Sequence, residues 1–172
     1  MATPTSLPAT FVAGNVLTAA QMNDLRGAFR ILQIVRATST STFATSSTAR
    51  VDVMSVTITP TSATSSIMLI FTARAWVDNG TNNDMRGNIY ITDNANVVIS
   101  GAEQSTIGTT NLTGTGTKTS HSASPLAIGW DTPATTSATT YKVRAAVTSG
   151  ASTIVFNGAN QTTQLFAIEV SA

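Results

Sequence analysis

A mainly β fold is predicted for this 172-residue chain: an antiparallel β-sandwich, jelly-roll-like, behind an extended arm and one short N-terminal α-helix. Three observations predict it. First, the chain breaks into short runs in which apolar and polar residues alternate, separated by clusters of Gly, Pro, Asn and Asp. That is the signature of half-buried strands joined by turns. Second, Thr and Ser make up more than a quarter of the chain while charged residues supply only 10%, against the usual ~25%. Thr is β-branched and fits a pleated surface, whereas disorder normally brings high charge and few β-branched residues. Third, helical periodicity occurs once, near the N-terminus, and never between strands. A parallel α/β sheet is thereby excluded. The length suits one domain, residues 31–172, with residues 1–30 as an attachment arm.

The elements follow in order. Residues 1–13 carry Pro4 and Pro8 and no helical period, and read as an extended arm. Thr18 fits a helix N-cap with Gln21 three residues on, which makes a capping box, and Leu17 and Met22 can form a hydrophobic staple. Met22, Leu25, Phe29 and Leu32 then recur at helical spacing. The helix spans 18–30, with Gly27 weakening or ending its last turn. A helix this short is marginal alone in water, so its apolar face needs a surface, either its own domain or a partner. Residues 31–37 open the first strand because Ile31, Ile34 and Val35 are β-branched. A loop covers 38–49, a strand 51–59 ends at Pro60, and one long strand runs from 66 to 77. Ile67, Leu69, Phe71, Ala73 and Ala75 face one side of it. Met68, Ile70, Thr72, Arg74 and Trp76 face the other, and apolar residues on both faces indicate a central position. Residues 78–84 are a turn cluster. Residues 88–92 and 96–100 read as a hairpin around Asp93, Asn94 and Ala95. The Thr/Gly/Ser-rich stretch 102–124 reads as a long loop or a projecting polar hairpin. Strands follow at 126–130, 140–148, 152–156 and 163–170.

The same residues exclude most chemistry. Nine basic and eight acidic side chains give a net charge of +1, and no basic stripe forms, so no nucleic-acid partner is expected. No cysteine is present, which removes disulfides, thiolate metal sites and cysteine nucleophiles. The N-terminus lacks the pattern of a signal peptide, and no window approaches the ~20 apolar residues of a membrane span. No membrane insertion is expected. His121 is the single histidine and lies in the low-complexity stretch, where neither a zinc site nor a serine triad can be assembled from sequence. Gly114 to Thr119 lacks the spacing of a phosphate loop. Asp78 to Asp84 fails the calcium-loop pattern, which needs a ligand where Gly80 sits. Asn79, Asn111 and Asn160 match the glycosylation sequon, as a Thr-rich chain does by chance. No enzyme, cofactor or metal is expected. Trp76, Tyr90 and Trp130 lie near turn signals and are the candidates for a ligand or an interface. Aromatic rings beside Asn and Asp suit sugar stacking and suit a core or subunit contact equally well in kind, with the core or contact weighted higher.

Gly14, Leu17, Thr18, Ala19, Ala20, Met22, Asn23 and Leu25 also form a pattern. It resembles the N-terminal segment of structural proteins of tailed-phage virions, especially fibre and minor tail proteins. Ile31 to Val35, a Thr/Ser-rich gap and Val56 to Ile67 are similar to a β-sandwich module of such proteins. The resemblance covers about residues 10–75. It departs at Ser65-Ser66, where many such modules carry Ser-Lys. It implies a non-enzymatic virion protein, made in the cytoplasm of a bacterial host and docked to other virion proteins of tail or capsid through Phe11, Leu17, Met22, Leu25 and Phe29. A homotrimer is implied as well. The role implied is a short fibre or minor tail protein serving host adsorption, with a host surface glycan as the candidate ligand. The alternative is a capsid decoration or cement protein, a head fibre that stabilises the shell.

Overall fold

The computed structural model describes residues 16, 18–19, 31–79, 85–102, 105–109, 119–148, 151–157 and 161–171. These contain twelve strands: β1 (Ile31–Ser39), β2 (Phe43–Thr45), β3 (Val51–Ile58), β4 (Ser66–Thr72), β5 (Ala75–Asn79), β6 (Met85–Asp93), β7 (Ser105–Thr109), β8 (Thr119–Ala123), β9 (Leu126–Asp131), β10 (Thr139–Val147), β11 (Ser152–Phe156) and β12 (Thr163–Val170). All the pairings are antiparallel. They form three ladders, ordered β1-β12-β4-β9, β2-β11-β5-β8 and β3-β10-β6-β7.

The first two ladders are successive halves of the same four chain runs. β1 leads into β2, β4 into β5, β8 into β9 and β11 into β12, each across a short break. Counting each interrupted run once leaves eight runs in two layers. The long, kinked layer has the order first, eighth, third, sixth. The other layer has the order second, seventh, fourth, fifth. First pairs with eighth, second with seventh, third with sixth and fourth with fifth. The chain is therefore one long hairpin, turned near residues 94–104 and wrapped on itself, which is the jelly-roll arrangement of eight strands in two sheets.

The kinks have local causes. Pro125 separates β8 from β9 and has no N–H to give to a ladder. Asn157, after β11, takes the left-handed conformation at φ 56°, which Asn tolerates better than most residues. Its side-chain amide donates to the carbonyls of Ser39 and Ser41, its side-chain oxygen accepts from Thr163 Oγ1, and its backbone N–H donates to Arg74 O. One residue, through its side chain and its backbone N–H, thus joins three of the four breaks.

Alternation in the strands builds the core. Ile67, Leu69 and Phe71 of β4, Val77 of β5, Ile154 and Phe156 of β11 and Leu165 of β12 are fully buried. Opposite them lie Ile58 of β3, Ile89 and Ile91 of β6 and Tyr141, Val143 and Ala145 of β10. Phe156 packs edge-on to Phe71 with ring centres 6.2 Å apart, and the ring centre of Phe43 lies 6.1 Å from that of Phe156. Each such side chain contributes about 1.5–3 kcal/mol on burial. Gly87 sits where β6 approaches β11 closely, and a Cβ there would lie 2.5 Å from Ile154 Cδ1.

Several sequence expectations are corrected. The expected strand 66–77 is two strands, broken at residues 73–74, although its two faces alternate as read. The expected loop 38–49 contains β2, and β5 runs into the expected turn as far as Asn79. Residues 96–100 are not a strand. A single bridge joins Val98 to Thr92, and the strand that follows β6 and pairs with it is β7. The stretch 102–124 is neither a loop nor a projecting hairpin at its described ends. β7 pairs with β6 and β8 with β5, in different layers. Edge strands need few apolar side chains, and Ile107 is the apolar residue that β7 buries, so composition hid them. The helix expected over 18–30 lies outside the described residues, apart from the exposed Thr18 and Ala19.

Candidate interaction surface

The two layers present opposite chemistry to the outside. On the β3-β10-β6-β7 layer the outward side chains are polar and tied to one another. Arg144 Nε donates to Asp52 Oδ1 at 2.7 Å, and Lys142 Nζ lies 3.5 Å from Asp52 Oδ2. Thr57 and Thr140 share a hydrogen bond, and the Arg50 guanidinium stands 4.0 Å over the ring of Tyr90. This is a solvated face, and its ion pairs contribute little stability each.

On the β1-β12-β4-β9 ladder the outward side chains are apolar across all four strands. Strand register lines up Ile34, Ile168, Met68 and Trp130 in one row, and Arg36, Phe166, Ile70 and Ile128 in the next. Leu126 and Ile31 extend the patch at its margins. Ile31 and Ile34 are 57% exposed, Leu126 56%, and Ile128 and Trp130 47%. Single exposed apolar residues are ordinary, whereas a contiguous patch of this kind marks a contact surface. The free edge of β9 beside it is partly covered, because Trp130 N donates to Ser100 O.

Between the layers, at the end of the sandwich nearest this patch, lie two inward-facing carboxylates on one row with Gln33 and Ile67. Glu169 is fully buried. Its Oε1 accepts from Thr61 N and Oγ1, both at 2.8 Å, and its Oε2 accepts from Gln33 Nε2 at 2.7 Å. Burial works to raise its pKa, but these hydrogen bonds outweigh burial and hold the carboxyl below its ordinary value. Asp131 accepts from the Tyr141 hydroxyl at 2.6 Å and so ties β9 to β10 across the sandwich. Burial, with this bond and the nearby carboxylates, pushes the Tyr141 hydroxyl well above its usual range. Among the described residues no group of three His, Asp or Glu side chains could hold a metal ion.

The three aromatic candidates are not brought together. Trp130 is part of the apolar patch. Trp76 faces outward from the same long layer, but on its β2-β11-β5-β8 half, where its Nε1 donates to Asp78 at 3.3 Å. Tyr90 lies on the opposite layer, buried under Arg50. His121 is half-buried on β8, opposite Val77. The anchor candidates Phe11, Leu17, Met22, Leu25 and Phe29 lie outside the described residues. Sequence reasoning missed Ile34, Leu126, Ile128 and Phe166 as surface residues. The signal was present: β4 and β12 are apolar at both parities, and such a strand needs cover on both faces.

No protein-family model and no curated protein sequence matches the chain. Among solved structures it is similar to "Structure of infectious bursal disease virus Gx strain", with 12% identity and a TM-score of 0.34 over 96% of this chain and 42% of that one. It is also similar to "Crystal structure of infectious bursal disease virus VP2 subviral particle", with 13% identity and a TM-score of 0.32 over 80% of this chain and 39% of that one. The chain thus spans less than half the length of these structures. The strand order is by itself that of a jelly roll. No helix among the described residues is long and apolar enough to cross a membrane.

Proposed function

We propose that this protein is a non-enzymatic structural component of a tailed-bacteriophage virion, docked by residues 1–30 and acting through residues 31–172 as a short fibre or minor tail protein in host adsorption. The observation that carries the assembly role is the apolar outer face of the β1-β12-β4-β9 ladder on a jelly roll whose other outer face is polar. A surface built this way serves contact between macromolecules and supplies no catalytic group. The pattern Gly14 to Leu25 supports the phage particle as the setting and the tail as the place. Phe11, Leu17, Met22, Leu25 and Phe29 are the docking residues of this reading. Copies join as a homotrimer, and the outward Trp76 beside Asp78 is the place for a host surface glycan. A second reading, a capsid decoration or cement protein, is favoured by one observation: all the strands among the described residues belong to the jelly roll and none to a shaft.

Electron cryo-microscopy of the native particle tests both readings. Three or six copies at the tail are the expected result. Copies that follow the head lattice would replace the adsorption role with decoration. Absence of the chain from the particle would overturn both.

A further inference from the structure

We infer that the outer face of the β1-β12-β4-β9 ladder is a self-association surface, covered by the same face of a second copy of this chain. This same-face contact pairs two copies about a two-fold axis, so it is separate from the trimer contact of the reading above, and its test needs no particle.

Three features select a second copy. The first is area. The five most exposed side chains, Ile31, Ile34, Leu126, Ile128 and Trp130, leave on the order of 500 Å² of apolar surface, near the top of the range for the largest patch on a monomer. The half-buried side chains between them bring the face toward the ~800 Å² that each partner gives to a stable interface. The second is charge. Arg36 is the one charged side chain in the two aligned rows, and the chain carries a net charge of only +1. A self-complementary contact sets a surface against itself, so a face dense in one sign would repel. This face has almost nothing to oppose. The charged outer face of the other layer, with Lys142 and Arg144, lacks that property. The third is width. Four strands about 4.8 Å apart make a face roughly 15–20 Å across, whereas one helix is about 10 Å in diameter. The helix expected over 18–30 would cover about half of it. A second sheet matches it, packing face to face as the two layers of the sandwich already do.

The test is native mass spectrometry and sedimentation equilibrium on the full chain, with Ile34→Asp/Ile128→Asp as the variant. The expected result is an oligomer for the parent chain and self-association at least roughly 30-fold weaker in the variant, the loss typical of removing a central contact, with an unchanged far-ultraviolet circular dichroism spectrum. A parent chain that stays monomeric at about 100 µM overturns the inference, because a stable interface of this size falls well below that dissociation constant. An oligomer of unchanged mass in the variant also overturns it. So does one that survives Ile34→Asp/Ile128→Asp but is lost in Met22→Asp/Leu25→Asp, which would assign the contact to the helix. A readout on the unperturbed face covers a variant that misfolds. Trp130 emission, isolated in Trp76→Phe, should shift to the blue and resist acrylamide quenching as concentration rises. Emission and quenching that do not change with concentration, in a sample whose mass shows association, would place the contact elsewhere.

Discussion

At the scale of single residues, two buried polar side chains hold this fold in register. Glu169 clamps the 59–62 turn onto β12 through Thr61 and Gln33. Its lowered pKa gives a signed prediction. A carboxyl whose folded value lies below its unfolded value contributes stability in full above the unfolded value. That contribution is lost as pH falls through the lowered folded value. Urea midpoints measured down the acid side should therefore fall for the parent chain and fall less steeply for Glu169→Gln, which at neutral pH is less stable by about 1–3 kcal/mol. Asn157 is the second. Asn157→Ala removes its side-chain bonds to Ser39, Ser41 and Thr163 and puts at φ 56° a residue that tolerates the left-handed region less well than Asn, for a loss of about 3 kcal/mol. Asn157→Gly keeps the backbone permitted and loses only the bonds, so its chemical-denaturation midpoint should fall between those of the parent and Asn157→Ala. The strand on either side of Asn157 was legible in the sequence. Its role was not, because the groups it joins are 6 to 118 residues away.

At the scale of elements, the interior strands and the edge strands β1, β3 and β9 were readable, and the edge strands β2, β7 and β8 were not. β4, β10, β11 and β12 bury several large apolar side chains each at alternate positions, so their pattern survives any plausible packing. β7 buries Ile107 amid Thr, Ser and Gly and is defined by its pairing with β6. Two substitutions check its assignment. Ile107→Asp puts a charge in the core and should destabilise the domain by about 3 kcal/mol. Thr106→Lys on the outward side should change it by less than about 1 kcal/mol, even with its bond to Asn88 lost. A loop at 105–109 would leave both variants near the parent in thermal melts. Gly87→Ala should also be destabilising, by about 1–3 kcal/mol, because its Cβ meets Ile154 between two packed strands. The helix of residues 18–30 belongs to this scale too. Deleting residues 1–30 should leave a folded β domain by circular dichroism that no longer joins the particle. An insoluble product would make those residues part of the domain core.

At the scale of the whole molecule, polarity divides the two outer faces. One is laced by Asp52, Arg144 and Lys142, and the other is apolar from Ile34 to Trp130. Contacts made through the second face should be insensitive to ionic strength, because screening acts on charges and not on apolar burial. Sedimentation in 50 mM and 1 M sodium chloride checks this, with an equal or tighter association expected at the higher salt. Dissociation at high salt would assign the contact to the charged face instead.

The sequence by itself determined that this chain is mainly β, with antiparallel strands whose inward side chains alternate along the chain. These follow from periodicity and residue type, which act over a few residues. Tertiary structure alone decided the pairing of first with eighth and third with sixth, the breaks that turn one layer into two ladders, and the alignment of Ile34, Ile168, Met68 and Trp130. Such pairings join residues up to about 140 apart in the chain. They are chosen by which closure buries every apolar face at once, and no local window contains that choice.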